Sequence, residues 1–161
     1  MKTLMKYLCG LCLLCVVCVS CGDDNELRDP YKQYKDYLSK GNETRPEWEE
    51  REGLYTEYES TMSVQIQLQN ILLPYLSDED LMCAVIDDDV RAVASPAHTG
   101  GQIYFPLVIA GNSSDGEVCL HYYCKKLQRT YIIEDWMPFT PGLSPLDNGE
   151  PYKPKFIPGA L

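Results

Sequence analysis

The spacing of hydrophobic and polar residues changes along the chain, and its cleanest stretch has a period of two. Met62, Val64, Ile66 and Leu68 alternate with Ser63, Gln65, Gln67 and Gln69, which gives a strand one buried and one wet face. Leu81 to Ile86 and Val90 to Ala94 flank Asp87-Asp88-Asp89. Aspartate tolerates turn geometry, so these two runs predict a hairpin. Ile71 to Leu76 stays apolar but contains Pro74, which predicts a loop or edge segment. Ser95 to Gly101 reads as a loop, Gln102 to Ala110 as a strand and Gly111 to Gly116 as a turn. Glu117 to Lys125 follows as a strand with Val118, Leu120, Tyr122 and Cys124 on one face, and Thr130 to Glu134 as a sixth. Tyr152 to Ile157 predicts a last edge strand, a place that its prolines suit. About seven short strands, with no long amphipathic helix among them, argue for an all-β fold, an antiparallel β-sandwich of immunoglobulin-like kind.

Ahead of the sheet the pattern is different. Lys2 and Lys6 precede an apolar run from Tyr7 to Val19, and the chain turns acidic at Gly22-Asp23-Asp24. That is the layout of an export signal. The run has 13 residues, about 20 Å as a helix against roughly 30 Å of hydrocarbon, too short to span comfortably. Val19-Ser20-Cys21 closes it and resembles the lipobox of bacterial lipoproteins, in which the cysteine thiol is lipidated and becomes the first residue of the mature chain. Gly22 to Pro46 is polar and poor in β-branched residues, as a tether is. Tyr31, Tyr34, Tyr37 and Leu38 recur within it at helical spacing, which predicts a short helix from Pro30 to Lys40. The expected layout is a signal peptide over 1–20, a lipidated cysteine and acidic tether over 21–46, and the sandwich with a Pro/Gly-rich tail over 47–161.

Charge removes some partners. The formal charge is −10, and removal of Lys2 and Lys6 with the leader makes it −12. Such a surface repels phosphate backbones and anionic lipid, so no nucleic-acid partner is expected, and membrane attachment falls to acyl chains such as palmitate on Cys21. Cys9, Cys12, Cys15, Cys18 and Cys21 repeat every third residue but are filled by Leu, Val and Gly, with no second shell for a metal. Cys83, Cys119 and Cys124 remain. Three is odd, which leaves at least one thiol free or paired with another chain, and three small buried hydrophobes is the favoured reading.

Candidate chemistry is sparse. Asp78, Glu79 and Asp80 lie at one end of a short strand and Asp87 to Asp89 at the other. One strand separates the clusters by about 20 Å, too far to share a calcium ion, so solvated turns are expected, with no metal and no cofactor. Arg91 sits inside a strand pattern, where a guanidinium must find a carboxylate or water. Asp80, from an adjacent strand end, is the expected structural partner. His98 and His121 have no carboxylate or cysteine at ligand spacing, and no catalytic motif is present, so an enzyme is not expected. The aromatic residues are the best functional hint: Trp48, His121, Tyr123 and Trp136 fall on strand faces or near strand ends. Sugar rings stack their C–H faces on such side chains.

Two resemblances extend this reading. The leader, Cys21 and the acidic stretch after it look like those of outer-membrane lipoproteins of Bacteroides-type bacteria, some of which are displayed outside the cell. Tyr55 to Phe139 resembles a β-sandwich module that recurs in surface and secreted proteins of these bacteria. It is carried by Trp48 ahead of Tyr58 and Met62-Ser63-Val64, Asp80-Leu81 before Ala84-Val85, Arg91 with Val93-Ala94-Ser95-Pro96, Gly111-Asn112, Gly116-Glu117 and Tyr122-Tyr123. Together they imply a lipid-anchored protein of the cell envelope. The expected function is a non-catalytic binding module for a glycan or host protein. The alternative is an accessory subunit that docks onto another envelope protein by its edge strands or by the Tyr31 to Leu38 stripe.

Overall fold

The computed structural model describes residues 32–133, 136–142 and 151–160. The leader, Cys21 and the first half of the expected tether lie outside the described residues. The fold is an all-β sandwich of two antiparallel sheets. Its strands are β1 (Ser60–Ile66), β2 (Leu81–Ile86), β3 (Asp89–Ala94), β4 (Ala97–Thr99), β5 (Gln102–Gly111), β6 (Glu117–Cys124), β7 (Arg129–Ile132) and β8 (Met137–Pro138). Two short helices, α1 (Lys35–Leu38) and α2 (Leu54–Glu57), precede the first strand. One sheet has the order β1-β5-β4; the other has β3-β2-β6-β7, with β8 also pairing β6.

The alternating runs form strands because each has one apolar row to bury. Met62, Val64 and Ile66 of β1 and Phe105, Leu107 and Ile109 of β5 face Met82, Ala84 and Ile86 of β2 and Val118, Leu120 and Tyr122 of β6 in one core. The β2–β3 hairpin closes through Asp87 and Asp88, both at positive φ (49° and 62°). That matches the twist of the paired strands, and aspartate tolerates it. Three elements depart from expectation. Ala97–Thr99, read as loop, pairs with β5 as β4, and Met137–Pro138 pairs with β6 as β8. Tyr152 to Ile157 does not form a strand. Pro154 interrupts it and Pro151 and Pro158 flank it, and among the described residues it makes a single parallel bridge, between Tyr152 and Ile66.

The second half of the expected tether is part of the domain. Gly41 N–H donates to the Leu127 carbonyl at 2.7 Å and Glu43 N–H to that of Gln128 at 3.0 Å. Downstream, the Trp48 ring meets His121 edge to face at 6.0 Å, and a Glu50 carboxylate oxygen accepts the Val93 N–H at 3.1 Å. Residues 41–50 therefore run as a strap across the outer face of the second sheet, from β7 to β3. At both edges a glutamate takes a strand N–H, since Glu43 accepts that of Thr130 at 2.7 Å. Carboxylates so placed occupy donors that a foreign strand would need.

Candidate functional site

The outer face of the second sheet is the face away from the core. On β6 it carries Cys119, His121 and Tyr123. Register places Val85 beside Cys119, Cys83 beside His121 and Leu81 beside Tyr123 on the β2 side. On the other side Ile132 stands beside His121 and Thr130 beside Tyr123. The β6–β8 register, carried one step beyond Val118–Met137, sets Trp136 beside Cys119. Leu81, Cys83 and Tyr123 are buried yet lie outside the core cluster, because the strap covers them.

The four aromatic side chains expected to bind ligand thus share one face but not one role. Tyr123 is 1% exposed and donates its hydroxyl to the Glu43 carbonyl. It supports the strap and leaves no face for a ligand. Trp48 and His121 are half-buried and pack on each other. Trp136 is 55% exposed, and so is Ile132, which sequence reasoning passed over. An outward isoleucine on a short strand carries no local signal, and only the β6–β7 register shows that it joins this strip.

Burial lowers the His121 imidazole below its ordinary value and pushes the Cys83 thiol up to about 12. The Cys119 thiol is raised by the same cause. Thiols raised in this way stay protonated near neutral pH and are weak nucleophiles as they stand. A depressed folded pKa means that the unfolded chain takes up its proton first as pH falls below 6.5. His121 therefore contributes stability above that value and loses it as pH falls through the folded pKa. On lowering pH from 7.5 to 5, the melting temperature of the wild type is expected to fall further than that of His121→Gln; equal falls would remove His121 as a titrating group.

The expected Asp80–Arg91 pair does not form. The β2–β3 register shifts between Ala84 and Val85, which leaves Arg91 as the extra, unpaired residue of a bulge. A bulge re-aims its side chain. Arg91 Nη1 reaches Asp115 at 3.1 Å and the Ala110 carbonyl at 3.3 Å. Its Nε lies 2.9 Å from Asp89 without hydrogen-bond geometry, and the guanidinium sits 3.9 Å from the centre of the Tyr58 ring. These contacts tie β3 to the end of β5 and the turn before β6. Asp80 serves elsewhere, accepting from the Tyr122 hydroxyl at 2.7 Å, Lys125 N–H at 2.8 Å and Ser77 N–H at 3.1 Å. Of the other acidic residues weighed for calcium, Asp78 contacts His98 at 3.0 Å and Asp89 takes the Tyr58 hydroxyl at 2.8 Å.

Beside β7 lies a cleft of about 450 Å³. Tyr37 of α1, Arg129 and Ile132 of β7, and Lys155, Phe156 and Gly159 of the C-terminal segment are among its walls. The Tyr34 hydroxyl, donating to the Gly159 carbonyl, joins the two terminal segments that frame it. Ile132 belongs both to this cleft and to the exposed strip. In comparisons with known protein families, curated proteins and solved structures, none matches this chain.

Proposed function

We propose that this protein is a non-catalytic binding module of the cell envelope, held to the membrane by acyl chains on Cys21, whose second sheet recognises a glycan or host protein. The observation that carries the reading is the exposure of Trp136 and Ile132, each 55%, on the face that also bears the half-buried Trp48–His121 pair. A large aromatic ring held outward on a rigid sheet offers stacking area at little cost in order.

The accessory-subunit reading has weaker support. Tyr34 and Leu38 of the expected docking stripe pack against the protein's own core, and Glu43 and Glu50 occupy N–H groups at the two edges of the second sheet. Two measurements test the proposal together. Cys21→Ala is expected to move the protein from membrane to soluble fractions. In a glycan and host-protein screen, Trp136→Ala is expected to weaken the ligand of the wild type about tenfold or more, the usual scale for an aromatic hot spot. Membrane retention of the first variant, or an unchanged ligand profile of the second, would count against it.

A further inference from the structure

The cleft beside β7 is an electrostatic exception. The chain is acidic overall, with 24 Asp and Glu against 14 Lys and Arg, yet among the described residues the cleft's lining contains Arg129 and Lys155 and no Asp or Glu. Arg129 is fixed by neutral acceptors: Nη1 donates to the Asp36 carbonyl at 2.7 Å and Nη2 to Ser39 Oγ at 3.1 Å. Its orientation is set while its charge is not neutralised by an ion pair among the described residues. Lys155 is exposed and likewise has no ion pair among them. Glu43, at the edge of β7, accepts the Thr130 N–H and does not line the cleft. Tyr37 and Ile132, 40% and 55% exposed, add apolar surface to the same walls. The volume, about 450 Å³, is within the range of small-ligand sites.

We propose that this cleft is an anion subsite for an acidic saccharide: a sugar ring lies against Tyr37 and Ile132, and its carboxylate or sulfate is held by Arg129 and Lys155. Two considerations select a saccharide over the phosphates of a bilayer. Ile132 makes the cleft continuous with the strip that carries Trp136, so one extended chain can occupy both. The formal charge of −10 opposes a whole anionic bilayer, met across an extended surface, more than a short chain with one acid group in the cleft. The saccharide part of the inference rests on the binding reading given above; the charge preference does not.

The test uses the purified full chain in detergent, titrated calorimetrically with oligogalacturonide and with its methyl ester, which keeps the rings and removes the charge. Sulfated and desulfated keratan oligosaccharides, which contain no uronic acid, form a second pair, and phosphatidylglycerol vesicles are the membrane arm. The acidic member of at least one pair is expected to bind about tenfold more tightly than its neutral form, the scale of one charge-assisted hydrogen bond. Lys155→Glu is expected to abolish that preference and keep the neutral form's affinity, while Trp136→Ala weakens both forms alike. Lys155 is exposed, so the variant should fold, which circular dichroism checks. Equal affinity for acidic and neutral forms, or a preference that survives Lys155→Glu, overturns the anion subsite and leaves the aromatic strip standing. Binding to the vesicles with no saccharide bound overturns the subsite in favour of a membrane surface; no saccharide bound at all, with no vesicle binding, overturns the subsite and removes the glycan form of the binding reading.

Discussion

Asp80→Ala is expected to destabilise the domain by about 3–5 kcal/mol, because it strips partners from several buried donors at once. Asp80 is fully buried, and its two oxygens hold the Tyr122 hydroxyl, the Lys125 N–H and the Ser77 N–H. Burial pushes its carboxyl above the usual carboxylate range while these donors pull the other way. Tyr122 stands at the middle of the core's aromatic cluster, with ring centres 5.7 Å from Phe105, 5.9 Å from Tyr131 and 5.7 Å from Phe156. The carboxylate therefore fixes the start of β2, the turn after β6 and the central ring of the core together. Thermal unfolding should fall by about 10 °C or more. Tyr122→Phe, which frees one of the three donors' sites and leaves the backbone bonds, should cost about 1–2 kcal/mol. An Asp80→Ala variant that melts with the wild type would show that these bonds do not hold the domain.

Arg91→Ala is the second large effect, expected at about 3 kcal/mol from breaking a largely buried ion pair. The Arg91 side chain is 7% exposed and that of Asp115 10%, so water replaces little of what is lost. Asp115 keeps the Asn112 N–H at 2.9 Å but loses its cation, and the Ala110 carbonyl loses a donor. Tyr58 loses the guanidinium stacked on its ring. Arg91→Lys should recover less than half of the loss, since an ammonium cannot present a planar fork to Asp115 and Ala110 while lying flat on Tyr58. Urea unfolding should show a lower midpoint with an unchanged slope. A wild-type midpoint for Arg91→Ala would reduce the bulge to a local irregularity with no bearing on how the sheets join.

These two residues also show how much of the fold was legible in the sequence. The alternation in 62–68 and the Asp-rich turn after Ile86 placed β1 and the β2–β3 hairpin, because local period and turn chemistry act over a few residues. Arg91 was recognised as a strand arginine in need of a carboxylate, yet its partner depended on a bulge, and a one-residue offset in pairing leaves no mark in composition. β4 and β8, of three and two residues, are too short for any period and exist only because β5 and β6 offer them an edge. In the site, residue type alone singled out Trp48, His121, Tyr123 and Trp136. Their division into buried support and exposed face came from the docking of residues 41–50, whose polar composition reads as solvent-facing. Tyr37, Arg129 and Lys155, far apart in the chain, converge only once both terminal segments have folded back.

The order of attachments along the N-terminal segment has a mechanical consequence. Tension applied ahead of Lys32 would meet first the Tyr34–Gly159 bond and the grip of Arg129 on Asp36 and Ser39. Next come the backbone bonds at Gly41 and Glu43, and only later the Trp48–His121 contact and Glu50. Loaded in sequence, these links fail one at a time, each at about the strength of a single hydrogen bond. Tyr37, whose carbonyl accepts the Tyr131 hydroxyl at 2.6 Å, travels with the first links, so such tension would unmake one wall of the cleft before it disturbed the sandwich.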